Sequence, residues 1–224
     1  MKHTQKNAKV GVFTAPFPIE DVPKGISILS SKVAYKVKNI DSPNMYDLYS
    51  RHCANGSVQI QGIDFDSSYA AIVTTDSIRI CVAFGASRNM LVFSIDIGNA
   101  FQTNLLPSTE RVYLRCPPFY IDWFKQTYPN HTLPPAQTCY VLQAVHSIQG
   151  SKSAGHEWYE LSSKIFVQMG MKKNATDNAV FVFRFDSELL FLLSNVDDFL
   201  ILSFSKKLFI QVKEKLSSMF DLTS

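Results

Sequence analysis

Three apolar runs close to the C-terminus, AVFVFRF, LLFLLSNV and FLILSFS, are separated by the polar pairs Asp186-Ser187 and Asp197-Asp198. Short runs rich in Val, Phe and Leu with two-residue polar links read as three consecutive antiparallel strands, a meander. Helical patterns flank it. From Ser153 to Met169 the apolar residues Trp158, Leu161, Ile165 and Met169 recur every three or four positions, with Gly170 at the stop. After the meander, KKLFIQVKEKLSSMF places Leu208, Val212, Leu216 and Met219 on one helical face. Upstream, LVFSID reads as a strand following a helix capped by Asp76 and Ser77, with Ile78, Cys81, Val82 and Phe84 as its apolar positions and a fade near Gly85. A short helical stretch follows from Gly98 or Asn99, and VYLRCPPFY reads as a strand ended by Pro117-Pro118. VAYKVKN alternates with period two, and the piece from Tyr46 to Cys53 is its antiparallel partner. Residues 119–138 form a Pro- and Tyr-rich insertion, and residues 1–27 a loosely ordered lead-in broken at Gly11, Pro16, Pro18 and Pro23. Strands in antiparallel pairs, with helices between them, predict an α+β fold around a split-βαβ, ferredoxin-like antiparallel sheet rather than a doubly wound one.

The composition sets outer bounds. With 224 residues, 46% of them hydrophobic and 18% charged, the chain has a core to build and is neither disordered nor fibrous. The densest apolar stretch falls far short of the roughly 18 residues of a membrane span, and the start lacks the apolar segment of a secretory signal. The expectation is an intracellular protein with no membrane contact. Cys53, Cys81, Cys116 and Cys139 stand singly, which reads as free thiols. A net charge of +3 points only weakly to a polyanionic partner; seven Lys against Glu20 and Asp21 concentrate it in residues 1–40, where a solvated face accounts for it.

The chemistry concentrates in carboxylates. Asp96 ends one hydrophobic strand, and Asp197 and Asp198 lie between two others, so adjacent strands would gather all three. Like charges so close raise one another's pKa, and a cluster of this kind stays ionised when a divalent cation neutralises it. Hard oxygen ligands suit Mg²⁺, and two such ions serve an in-line displacement at phosphate. Turn propensity alone also favours Asp-Asp at a hairpin tip. Other signals carry less. Neither His146 nor His156 has a Ser or Cys at a nucleophile elbow, and Asn130-His131-Thr132 and Asn174-Ala175-Thr176 read as polar loops. The aromatic residues Phe119, Tyr120, Trp123, Phe124 and Tyr128 read as local packing rather than a base-stacking platform.

The strings GIDFDSSYAAIVTTDSIRICVAFGASRNMLVFSIDIGNAFQTN, ERVYLRCPPFY, QGSKSAGHEWYELSSKIFVQMGMKKNATDNAVFVF and NVDDFLIL, in this order and spacing, resemble the reverse transcriptase of copia-type LTR retrotransposons over residues 28–224. The resemblance implies a fingers-and-palm polymerase that copies RNA or DNA templates from deoxynucleoside triphosphates. It casts Asp96, Asp197 and Asp198 as the catalytic, metal-binding aspartates for two Mg²⁺ ions, with Mn²⁺ as a substitute. Phe101 is cast as the aromatic gate against a ribose 2′-OH. Gln149, Gly150 and Lys152 resemble the segment lying against the incoming nucleotide, and Arg51 the finger residue that grips the triphosphate with its planar guanidinium. Template-primer nucleic acid and dNTPs are the implied partners, in a cytoplasmic particle or the nucleus. Asn195 replaces the family's hairpin Tyr, Gly155 stands where Pro is usual, and YAAIV lacks the usual proline. The resemblance implies a stop after the last palm helix, with the thumb, the RNase H domain and the upstream protease and integrase of the family's polyprotein outside this sequence. These departures leave a second expectation, a catalytically inactive nucleic-acid-binding remnant.

Overall fold

The computed structural model describes residues 11–38, 47–107, 109–117, 119–185 and 188–222. The Asp186-Ser187 turn, residues 1–10, Tyr46 and Pro118 lie outside them. In chain order the elements are β1 (Phe17–Pro18), β2 (Ile28–Leu29), β3 (Ser31–Lys38), β4 (Asp47–Ala54), α1 (Thr75–Ser87), β5 (Leu91–Asp96), α2 (Ala100–Thr103), β6 (Val112–Arg115), α3 (Tyr120–Thr127), β7 (Tyr140–Ala144), α4 (Ala154–Gln168), β8 (Lys172–Lys173), β9 (Val180–Phe185), β10 (Glu188–Asn195), β11 (Asp198–Ser203) and α5 (Lys206–Ser217). The mixture of helices and sheets agrees with the α+β expectation. The chain divides into two compact units, each discontinuous in sequence: one of residues 1–68 and 104–154, the other of residues 69–103 and 155–224.

The second unit is built on a sheet in the order β5-β11-β10-β9-β8, every neighbouring pair antiparallel. Its inner strands β10 and β11 are apolar because both of their faces are covered, whereas the edge strand β8 is the exposed pair Lys172–Lys173 and the other edge strand, β5, leaves Leu91 and Val92 exposed. Alternate residues Ile95, Leu190, Leu192, Phe181, Phe199 and Ile201 meet Trp158 and Phe166 of α4 and Leu208, Val212 and Leu216 of α5. The residues between them, among them Phe191, Leu193, Leu200 and Leu202, meet Ile78 and Cys81 of α1 together with Val73 and Met90. The expected meander is present, joined by the short β8 at one edge and β5 at the other. In α5 the stripe differs at its end: Met219 is 40% exposed, whereas Phe220 is buried beside Trp158. The helix has already ended at Ser217, and the turn that closes it, with the Phe220 amide donating to the Leu216 carbonyl, swings Phe220 inward instead.

The α1 helix begins earlier than its sequence suggests. Thr74, not Asp76 or Ser77, is the N-cap, its hydroxyl accepting from the Ser77 amide. Asp177, distant in sequence, holds this cap: one carboxylate oxygen accepts from the Thr74 amide and hydroxyl, both at 3.0 Å, and the other from the Ala179 amide. Asn174, part of a glycosylation-like triplet, has a local duty, its side-chain oxygen accepting from the amides of Thr176 and Asp177. Gly85 does not stop the helix. It makes room for Leu202, whose Cδ2 would lie 2.6 Å from an added Cβ.

The first unit carries a sheet in the order β1-β7-β6-β2, with β2 parallel to β6 and the other pairs antiparallel, and a separate β3–β4 ribbon paired from Ser31↔Ala54 to Lys38↔Asp47. The N-terminal segment from Gly11 onward is woven into this sheet. Val12 is fully buried and accepts from the Val145 amide, Thr14 donates to the Gln143 carbonyl, and β1 pairs with β7. These ties are backbone hydrogen bonds to residues more than a hundred positions away, which local composition does not announce. The Pro- and Tyr-rich insertion contains the unforeseen helix α3. Its Tyr120 and Phe124 are buried against Leu142, Phe13 and Cys116, in line with the packing reading of this aromatic group. Burial pushes the Cys116 thiol up to about 12, with nearby Cys139 adding to it, and all four cysteines are free thiols.

The segment 149–152 is fastened to the end of β4. The Ala54 amide donates to the Gln149 carbonyl, the Gly56 amide to the Gly150 carbonyl, and the Lys152 amide to the Gln59 side chain. Gly150 has φ +91°, and a Cβ there would run into the Ala54 backbone carbonyl. Backbone cannot step aside as a side chain can, so Gly150 is required by this crossing.

Two outcomes follow for stability. Burial acts to raise the Asp177 carboxyl, but hydrogen bonds from Ser77, Thr74 and Ala179 outweigh it and hold the group below its ordinary value. Its contribution is therefore complete above the ordinary aspartate range and drains away as the pH falls through the lowered value. Asp177→Ala should cost about 1–3 kcal/mol in urea unfolding at pH 7, with a smaller difference near pH 3. Gly150→Ala should cost about 3 kcal/mol or more, read as a large loss of melting temperature or of soluble folded protein.

Candidate functional site

The turn between β10 and β11 contains two residues, Val196 and Asp197, closed by the Asn195↔Asp198 pair. The sequence reading put the link at Asp197-Asp198. The structure shifts it by one residue, so Asp198 is the first residue of β11. Val196 has φ +59°, whereas Asp197 is outside the left-handed region. One positive φ at the first loop position is the type II′ pattern, which twists with the flanking strands but favours Gly there. A β-branched residue in that conformation stores on the order of 1–3 kcal/mol of strain. Two contacts hold it. Val196 packs against the core of the unit, and the buried indole of Trp158 donates from Nε1 to the Val196 carbonyl at 2.6 Å.

Across the sheet, β11 pairs with β5 so that Asp198 directly faces Asp96, and the Ile97 amide donates to the Asp197 carbonyl at 2.9 Å. Directly opposed residues of an antiparallel pair project on the same face. Asp96 and Asp198 therefore stand together at the end of the row that continues through Leu200 and Leu202, with Asp197 in the adjoining turn. The three aspartates singled out in the sequence meet at one end of one sheet. Partial desolvation at the strand end, then the charges of Asp197 and Asp96, push the Asp198 carboxyl above its ordinary value although its side chain remains open to solvent. Such repulsion suits a hard divalent cation, which would neutralise it through oxygen ligands. Among the described residues no three acidic, His or Cys side chains converge into a ready-made metal shell. The backbone register sets Asp96 and Asp198 opposite one another without assembling such a shell.

Phe101 is half-buried in the short α2 and packs against the same core as Ile97 and Ala100. The other predicted residues belong to the first unit. Arg51 is exposed on β4, one pleat from Cys53, and the Cys53 thiol lies 3.8 Å from the Gln149 side-chain oxygen. Lys152 is exposed, with its amide anchored on Gln59. Arg51, Gln149, Gly150 and Lys152 are thus gathered where β4 meets the 149–152 segment. The close approach of Gly150 is to the Ala54 backbone. Burial, against a smaller opposing effect of Arg51, pushes the Cys53 thiol up, so the neighbour of Gln149 stays neutral.

Sequence reasoning missed Trp158 and Val196 as parts of this site. Trp158 lies on the apolar stripe of α4 and reads as core, which it also is. The available signal was Val196 itself, a β-branched residue at the first position of a two-residue hairpin link.

Residues 15–224 match the family described as reverse transcriptase (RNA-dependent DNA polymerase). The chain is 27% identical over 223 residues to the retrovirus-related Pol polyprotein from transposon TNT 1-94 of Nicotiana tabacum, covering 99% of this chain and 15% of that polyprotein. It is 24% identical over 216 residues to the retrovirus-related Pol polyprotein from transposon RE1 of Arabidopsis thaliana, covering 96% of this chain and 14% of that protein. A third relative, from transposon RE2 of the same plant, is 24% identical over 195 residues, 87% of this chain and 12% of its own length. The chain thus spans less than a sixth of the curated relatives it matches. A family match over nearly the whole chain, with relatives of one transposon class, establishes that this chain belongs to the reverse transcriptase family, in its copia-type branch.

Proposed function

We propose that the chain is the fingers-and-palm part of an RNA-directed DNA polymerase, adding deoxynucleotides to a primer 3′-OH on an RNA or DNA template. The observation that carries this is the facing of Asp96 and Asp198 across β5–β11, with Asp197 in the adjoining turn. The second unit is then the palm, and its split-βαβ element is the parallel relation of β5 and β10 with β11 between them. The first unit is the fingers. Asp96, Asp197 and Asp198 would hold Mg²⁺, two ions in number, with Mn²⁺ as a substitute. Bound there, such ions would supply Lewis-acid polarisation of phosphate oxygens and a lower pKa for the attacking hydroxyl.

The chain's own side chains do the rest. The Arg51 guanidinium grips triphosphate oxygens in a bidentate fork, and Lys152 adds a mobile positive charge. The amide of Gln149 hydrogen-bonds the sugar, in a segment held in place by Gly150. The ring of Phe101 fills the space a ribose 2′-OH would need and so selects deoxynucleotides. Duplex grip depends on many phosphate contacts and would draw on thumb and RNase H parts of a longer polyprotein. A second reading, an inactive nucleic-acid-binding remnant, draws on Asn195, which offers no aromatic surface where the family has Tyr.

Primer extension on poly(rA)-oligo(dT) separates the two. Incorporation that requires Mg²⁺ and falls at least about 100-fold in Asp197→Asn is the expected result. Folded wild-type protein that binds duplex but incorporates nothing would establish the remnant instead. The raised Asp198 carboxyl gives a further check. A charge held above its ordinary pKa is a cost to the fold at neutral pH, absent below the ordinary value and growing as the pH rises through the raised one. Asp198→Asn should therefore raise the melting temperature at pH 7 by on the order of 1–3 °C, a gain limited by solvent screening that disappears toward pH 3. Added Mg²⁺ should stabilise the wild type and leave this variant nearly unmoved.

A further inference from the structure

The hairpin that carries Asp197 is held in a conformation its own sequence resists. Val196 is β-branched and sits at φ +59°, where L side chains crowd the backbone. Nothing in the two-residue loop relieves this, since Gly or Asn, the residues that tolerate such a φ, is missing from both central positions. The restraint comes from 38 positions upstream, where the α4 indole of Trp158 donates to the Val196 carbonyl at 2.6 Å.

The indole is itself fixed. Trp158 is 1% exposed, lies parallel to Phe199 at 6.5 Å and meets Phe220 edge-on at 5.1 Å. Phe199 is the residue after Asp198, so the ring touches β11 beside the carboxylates as well as the turn before them. A buried indole N–H needs a partner, and the Val196 carbonyl supplies it. That makes the bond reciprocal: each group would be left unsatisfied or strained without the other.

We infer that Trp158 is a positioning residue, whose indole N–H clamps the Val196 carbonyl and thereby holds Asp197 and Asp198 in register with Asp96. The consequence for catalysis rests on the polymerase reading, whereas the clamp does not. Its effect is transmitted through one backbone unit: with the Val196 carbonyl held, the Asp197 carbonyl stays available to the Ile97 amide, and the ends of β5 and β11 stay joined. Without the clamp, Val196 is free to leave the left-handed region, and the Val196–Asp197 peptide rotates with it.

Amide hydrogen exchange tests the clamp independently of activity. Trp158→Phe keeps an aromatic ring in the core and removes the donor together with part of the indole's volume, so the mid-β10 amides serve as the control for the packing loss. The Ile97 amide should then exchange at least 10-fold faster, while the amides of Leu192 and Leu193 in mid-β10 keep their rates. Adding Val196→Gly, which accepts positive φ without strain, should restore Ile97 to within about threefold of wild type. In primer extension, Trp158→Phe should lower kcat about 10-fold with the dNTP KM unchanged within twofold. Unchanged Ile97 exchange, or equal acceleration of all three amides, would overturn the inference, the latter by showing a merely structural role. If the wild type incorporates nothing, the polymerase reading fails and the exchange results still decide the clamp. The wild-type protein decides it too should Trp158→Phe not fold: the Trp158 indole proton must exchange far more slowly than that of Trp123, the only other tryptophan, and equal rates would overturn the inference.

Discussion

The antiparallel pairing of β5 with β11 is the constraint to which the second unit answers. It sets Asp96 opposite Asp198, and because side chains alternate with period two, the same register sends Ile95 and Phe199 together into one core. A slip by one residue would bury a carboxylate and expose an isoleucine, at a cost no local contact could offset. The apolar packing of the sheet therefore enforces the geometry of its charged end. Repulsion among the aspartates is tolerated there because two buried faces, rather than the charges, determine where the strands lie.

How much of this was legible in the sequence depended on the range of the interaction involved. The strands of the β9–β11 meander, the α4 stripe and the β3–β4 ribbon are written in local periodicity and are present where they read, with the β10–β11 turn one residue earlier. The three aspartates could be grouped because each borders an apolar strand. What escaped were features fixed at long range. Thr74 is a better cap than Asp76 or Ser77 because Asp177, 103 positions away in sequence, accepts hydrogen bonds from its amide and hydroxyl. The segment after Gly11 looked unattached because its partners, Gln143 and Val145, contribute only backbone groups. The helix α3 sits in a stretch whose prolines read as breaks, yet Tyr120 and Phe124, four apart, give it a buried edge. The turn was misplaced by one residue because Asp-Asp is the more familiar link and Val196 adopts its φ only under outside restraint.

The first unit solves a different problem. Its predicted nucleotide-facing residues come from segments about a hundred positions apart, joined beside the buried Ala54 and Ile148 of one core cluster. Backbone contacts fix the junction as well. Hydrogen bonds from Ala54 and Gly56 to the carbonyls of Gln149 and Gly150 bring two main chains to their closest approach, and two glycines make that approach sterically open. Main-chain stitching has few degrees of freedom, so side chains mounted on either side of it inherit a fixed origin while keeping mobile tips.

The same β5–β11 pairing carries a consequence for how the chain is made. Asp96 and its partner Asp198 are separated by 102 positions, and the whole first-unit stretch 104–154 must be translated before β11 exists. At about 5–20 residues per second, the strand LVFSID waits roughly 5–20 s on the nascent chain without its neighbour. During that interval it is an apolar strand with unpaired backbone on both sides, the kind of edge that recruits other chains. Protein yield from this sequence should therefore depend on the speed of the ribosome and on holding chaperones as much as on the stability of the finished fold.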